Sequence, residues 1–112
     1  MKKLTMLLGL ACVLAAVPAH AGTKFFQLDG GKLLTVPFYA DKGEDLNFTV
    51  GAKDAVIICG LEDKEKDVLA SDGDRDGCML FLTAPYTGKY YLLIKNKGSA
   101  PVRGFISSTK EL

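Results

Sequence analysis

The segment Asp72-Gly73-Asp74-Arg75-Asp76-Gly77 sets three carboxylates at alternate positions with Gly behind them. Oxygen ligands at positions one, three and five and a Gly at six also open the calcium loop of an EF-hand, so this spacing can wrap a hard cation. The rest of that motif is missing. Position twelve is Thr83 rather than a bidentate Glu, the following residues read as a strand, and Arg75 sits among the acids. A solvated Gly- and Asp-rich connector between strands has the same composition. A calcium-dependent module would use Asp72, Asp74 and Asp76 as its ligands, and no other cofactor is implied.

The chain has 112 residues, three of them Cys, one His and no Trp. The lone His20 lies next to an N-terminus with the parts of a secretion signal: Lys2 and Lys3, an apolar run from Leu7 to Val17, and the small-residue site Ala19-His20-Ala21. Cleavage after Ala21 is expected, leaving residues 22–112 as a single domain, periplasmic or secreted. The apolar run is about half of a ~20-residue bilayer helix, so a permanent membrane anchor is disfavoured. Leu10-Ala11-Cys12 has part of a lipid-attachment pattern, but Gly9 stands three before the Cys and the apolar run continues past it.

Removing residues 1–21 removes the only imidazole. Ser-His-Asp and Cys-His catalysis and His-ligated metal sites then have no base or ligand to build on. The expected protein is not an enzyme. Taking Lys2 and Lys3 from fourteen basic residues leaves twelve against thirteen acidic, a formal charge of −1. A near-neutral domain without a basic stripe does not attract nucleic acid or an anionic membrane. The two cysteines that remain, Cys59 and Cys78, form an even pair in an exported domain under 100 residues, which reads as a disulfide.

The elements that position these residues follow from periodicity. From Lys24 onward apolar residues alternate with period two, the signature of strands. Leu46, Phe48 and Val50 point one way and Asp45, Asn47 and Thr49 the other; Leu34, Val36 and Phe38 do the same within 32–39, as do Tyr90, Leu92 and Ile94 within 89–95. Residues 55–59 form a continuous apolar run expected to be a central strand buried on both faces, and 78–83 and 102–107 are further strands. Turn residues separate these runs at Asp29-Gly30-Gly31, Lys42-Gly43-Glu44, Asp72-Gly73, Thr87-Gly88 and Asn96-Lys97-Gly98. Residues 61–70 are expected to be a turn of helix or a solvated loop. The fold class is therefore all-β, an antiparallel β-sandwich.

Aromatic doublets occur at Phe25-Phe26, Phe38-Tyr39 and Tyr90-Tyr91, and adjacent strand residues face opposite sides. Tyr39 and Tyr91 are expected outside and Tyr86 in a turn, which makes these three the candidate contacts for a partner. Cross-strand packing on a solvent face is the alternative use of such side chains.

The run Leu82-Thr83-Ala84-Pro85-Tyr86-Thr87-Gly88-Lys89-Tyr90-Tyr91-Leu92-Leu93-Ile94 resembles the end of a bacterial pre-peptidase C-terminal domain, with its Ala-Pro, short spacer and Gly-x-Tyr-Tyr entering a late strand. Gly43-Glu44-Asp45-Leu46-Asn47-Phe48-Thr49-Val50 is similar to an earlier strand of that family, and many members carry a Cys pair like Cys59 and Cys78. The likeness runs from about Lys32 to Ser107. The family's Asp-x-Asp-Leu-Tyr segment stands here as Asp54-Ala55-Val56-Ile57-Ile58. The resemblance implies a jelly-roll-like sandwich, non-catalytic and usually appended to secreted proteases. Gly88 and Tyr90 also suit a tyrosine corner, in which the phenol caps backbone at a sandwich turn. The expected role is a binding or structural module contacting a protein or polysaccharide of the cell envelope. The alternatives are an inhibitor of a secreted hydrolase such as a protease or lysozyme, entering its target with a protruding loop over 60–77, and the calcium-dependent module above.

Overall fold

The computed structural model describes residues 22–112; the expected signal and Cys12 lie outside the described residues. Eight strands follow in order: β1 Gly22–Leu28, β2 Leu33–Ala40, β3 Asp45–Ala52, β4 Ile57–Asp63, β5 Val68–Arg75, β6 Gly77–Thr83, β7 Gly88–Asn96 and β8 Val102–Ser108. They form two four-stranded sheets ordered β1-β8-β3-β6 and β2-β7-β4-β5, with every pair antiparallel. Apart from the β4–β5 hairpin, consecutive strands alternate between sheets, and the pairs β1·β8, β2·β7 and β3·β6 nest within one another. This is the jelly-roll arrangement.

Period-two alternation decides the inner faces. Leu46, Phe48 and Val50 of β3 are each 1 % exposed, and Tyr90, Leu92 and Ile94 of β7 are fully buried, as the sequence pattern requires. Phe38 of one sheet meets Phe48 of the other at 5.2 Å between ring centroids, and it stacks on Tyr90 at 5.8 Å. Such aromatic contacts add to the stabilisation from burial itself. Two of the expected turns use a glycine with positive φ, Gly31 at 74° and Gly43 at 88°, a conformation other L-residues adopt only at a cost.

The segment between the cysteines differs from its sequence reading. Residues 61–70 form no helix, and only 64–67 are loop. The chain continues as β4 through Asp63, turns over 64–67 and returns as β5, so the stretch 60–77 is mostly hairpin rather than a protruding loop. Asp72-Gly73 is also not a reversal. Gly73 opposes Ile58 and Arg75 opposes Ile57, leaving Asp74 as an unpaired bulge residue at φ 61°. The same tolerance of positive φ that marks turns serves a bulge here. β4 is central in its sheet, but its outward residues Ile58, Gly60 and Glu62 are only half-buried.

The bridge between Cys59 and Cys78 forms, joining β4 of one sheet to β6 of the other with 6.2 Å between Cα atoms. Asn96 ties the far end. Its fully buried side chain donates to the carbonyls of Leu28 and Ala100 at 3.1 and 2.8 Å and accepts from the Gly98 N–H at 2.9 Å. Each polar atom of that amide thus has a partner, which offsets the cost of burying it.

Candidate functional site

Tyr90 and Tyr86 meet where β7 begins. The Tyr90 ring is buried on the core parity of the strand, and its hydroxyl reaches back four residues, donating to the Tyr86 carbonyl and accepting from the Tyr86 N–H at 3.1 Å. This is the tyrosine corner that Gly88 and Tyr90 suggested. The Tyr86 ring stacks on Tyr90 at 5.0 Å, so Tyr86 is partly buried against the core while keeping some exposed surface. Its phenol is buried without a hydrogen-bond partner, and burial, reinforced by the nearby Asp63 carboxylate, pushes its pKa up.

Tyr39 and Tyr91 do share one surface, the outer face of the β2-β7-β4-β5 sheet. Pro37 opposes Tyr91 and Tyr39 opposes Lys89, which makes the two tyrosines diagonal neighbours. Tyr39 is 64 % exposed, and the Lys89 ammonium sits 5.9 Å from the Tyr91 ring centroid. The same register places Leu33, Leu93 and Val68 on this face, with Leu33 and Val68 exposed. The result is a mixed outward face in which two phenols and scattered aliphatic side chains alternate with Lys89, Lys95 and Glu62, suited to broad contact rather than to chemistry on a bound small molecule.

The carboxylates Asp72, Asp74 and Asp76 are not gathered into one set. Asp72 Oδ2 accepts from Arg75 Nη2 at 2.7 Å and from the Met79 N–H at 2.8 Å, while Asp74 Oδ1 accepts from Lys97 Nζ at 2.8 Å. The bulge points successive acids at different partners, so two of the three already face protein cations. The Met79 N–H, with the Arg75 guanidinium adding, holds the Asp72 carboxyl below its ordinary value. The acids that do converge among the described residues are Asp63, Glu65 and Asp67 at the β4–β5 turn, each with a ligand atom within 4.8 Å of the others. Asp63 Oδ1 accepts the N–H groups of Glu65 and Asp67 at 2.9 Å each, which organises this turn by itself. Oxygen donors of this kind could hold a hard cation. Their i, i+2, i+4 spacing in the sequence was the available signal, hidden among other charges at 62–67.

Sequence reasoning also missed the other outer face. Phe25, Met79, Phe81 and Phe105 of the β1-β8-β3-β6 sheet are 84, 55, 62 and 37 % exposed. Phe105 is the least exposed because its ring lies over Gly51, where an added Cβ would meet it at 2.5 Å. The apolar run at 78–83 conceals that Met79 and Phe81 occupy the wet parity.

No family model matches the chain, and no curated protein does. Solved structures share its fold. The pre-peptidase C-terminal domain of collagenase from Bacillus anthracis superposes with a TM-score of 0.68 at 16 % identity, covering 79 % of this chain and 88 % of that one. Yersinia pseudotuberculosis-derived mitogen gives 0.64 at 12 % identity over 82 % and 86 %. Aeromonas hydrophila PliG, a periplasmic inhibitor of g-type lysozyme, gives 0.60 at 16 % identity over 80 % and 87 %. The chain therefore has the architecture of a small pre-peptidase C-terminal-like β-domain.

Proposed function

We propose that the protein is a non-catalytic, exported binding module that engages a protein of the cell envelope through the outer face carrying Tyr39 and Tyr91. The observation that supports this reading is that those two phenols are diagonal neighbours on one outward sheet face, with Pro37 opposite Tyr91 and Leu93 next along β7. Outward Tyr side chains are frequent anchors of protein contacts, since they bury a large area with little loss of rotamer freedom. The inter-sheet bridge and tyrosine corner keep that face rigid, which lowers the entropic cost of binding. Export accords with the disulfide, which persists in oxidising compartments.

The test is capture from envelope extract by the wild type and by Tyr39→Ala and Tyr91→Ala, with thermal melting as the folding control. Both variants should melt near the wild type and lose the captured protein. Equal capture by all three would refute this face as the binding site.

A second reading, inhibition of a secreted hydrolase, is favoured by the shared fold with the g-type lysozyme inhibitor. Here the entering segment would be the tip of the β4–β5 hairpin, where Glu65 and Asp67 are exposed. A panel of lysozymes and proteases assayed with micromolar protein checks it: inhibition relieved by Glu65→Ala supports it, and no inhibition of any enzyme sinks it.

A further inference from the structure

A jelly roll has four strand edges, and in this chain the edges differ in how they are closed to pairing. β2 carries Pro37, which has no N–H to donate. β5 is interrupted by register shifts opposite Ile57/Ile58 and Leu61/Glu62. β6 lies against the β5 end, where its Met79 N–H is taken by the Asp72 carboxylate and Cys78 Sγ approaches the Asp72 carbonyl at 3.5 Å. Bulges, prolines, charged side chains (Lys above all) and covering contacts are the usual devices that stop sheets from growing edge to edge.

β1 has neither a proline nor a bulge, and Lys24 is its one charged side chain. Its sequence Gly-Thr-Lys-Phe-Phe-Gln-Leu lacks Pro and acidic residues, and its pairing with β8 runs from Gly22↔Ser108 to Leu28↔Val102 without a shift. Among the described residues nothing pairs with its other side. It also bears Phe25, the most exposed large apolar side chain of the described residues at 84 %.

We infer that this edge pairs with β1 of a second copy of the chain, antiparallel about a twofold axis through Phe25. The strand itself selects that register. Phe25 is the midpoint of Gly22–Leu28, so centring the axis there pairs all seven residues: Gly22 with Leu28, Thr23 with Gln27, Lys24 with Phe26, and Phe25 with its symmetry mate. Any other centre leaves ends unpaired. Lys24 is the only charged side chain on the strand, and this register keeps it from directly opposing its own copy, which would be destabilising, while an amino group at Gly22 would face Leu28.

Because Phe25 opposes Phe105 within each copy, the joined sheets carry four phenyl rings in one row, Phe105 and Phe25 followed by Phe25 and Phe105 of the second copy. Such a self-complementary contact is isologous and closes at two copies. A single strand pair about 23 Å long, with its flanking rings, belongs to the class of small interfaces that form transient complexes, so the dimer is concentration-dependent. It uses the sheet opposite to the Tyr39 face and leaves that face free.

The experiment exploits the twofold axis, at which a residue meets only itself. The protein purified from an exporting host is followed by sedimentation velocity from micromolar towards millimolar concentration, alongside Phe25→Lys and Phe25→Asp. The wild type should dimerise as concentration rises. Each variant alone, with like charges opposed and the phenyl pair gone, should associate at least about tenfold more weakly. Mixing the two variants should restore dimer as a heterodimer. Phe25 is exposed, so both variants should melt within a few degrees of the wild type, which separates dimer loss from unfolding. Oxidised Phe25→Cys should give a covalent dimer, whereas Gln27→Cys, which would face Thr23, should not. A wild type that stays monomeric over the whole range, association untouched by either variant, or loss in both without rescue on mixing would each overturn the proposal.

Discussion

Replacing Tyr90 by Phe removes one oxygen from a side chain with no solvent exposure. The ring contacts with Phe38 and Tyr86 are retained, so the transfer of apolar area is nearly unchanged. What is lost is the pair of bonds to the Tyr86 backbone, one donated to its carbonyl and one accepted from its N–H. A hydrogen bond in a folded protein contributes about 1 kcal/mol net, and the Tyr86 peptide is only partly buried, so water takes over some of the vacated positions. Two bonds then give about 2 kcal/mol. In a domain of this size 1 kcal/mol moves Tm by about 4–8 °C, so Tyr90→Phe should melt about 8–16 °C lower. Urea titration followed by circular dichroism should show a lower midpoint with an unchanged slope, because the surface exposed on unfolding is the same. Tyr91→Phe on the outer face is the control and should stay within about 0.5 kcal/mol of the wild type. Tyr90→Ala adds the cavity left by the ring and should cost about 3–5 kcal/mol. A Tyr90→Phe protein as stable as the Tyr91→Phe control would refute the reasoning, since the corner would then contribute packing alone.

The bridge and the acid limb supply the other tests. The cysteines are 19 residues apart, and closing a loop of that length restricts the unfolded chain by about 3 kcal/mol; Cys59→Ala/Cys78→Ala should lose about that much in denaturant unfolding, and a loss below about 1 kcal/mol would contradict it. Glu44 is held below its ordinary value of 4.5, first by the Asp41 N–H and then by the Lys110 ammonium at 3.1 Å, and Asp72 is lowered in the same sense. A depressed folded pKa means that the contribution is complete above the unfolded value and disappears as pH falls through the folded one. The protein should therefore lose stability on acidification below about pH 4.5, and Glu44→Gln with Asp72→Asn should flatten that limb; an identical acid profile in the double variant would exclude these carboxylates as its cause.

The strands that were legible in advance are those with one dry and one wet face. In 45–50 and 89–95 the alternation of side chains alone assigns every residue to core or surface, because a strand has no other way to separate them. β5 was not legible. Val68–Arg75 is an edge strand of small, acidic and glycine residues whose bulges break the period, and its composition is that of a loop. β1 was obscured for the opposite reason, since Phe25 and Phe26 are both apolar although they face opposite sides. For the candidate site, parity placed Tyr39 and Tyr91 outside but had no means of placing Tyr86, whose ring turns inward onto Tyr90 from an irregular segment.

Composition and local pattern thus determined the absence of any imidazole from residues 22–112, the cysteine pair and the β-class of the fold. These depend on residue type and on the two-residue repeat of an extended chain, both of which are local. Only the tertiary structure decided which outward residues are neighbours, Tyr39 with Tyr91 and Phe25 with Phe105, and that Asp72 and Asp74 face separate cationic partners. Adjacency across a sheet is set by pairing between strands distant in the chain, and a bulge of one residue redirects every side chain that follows it.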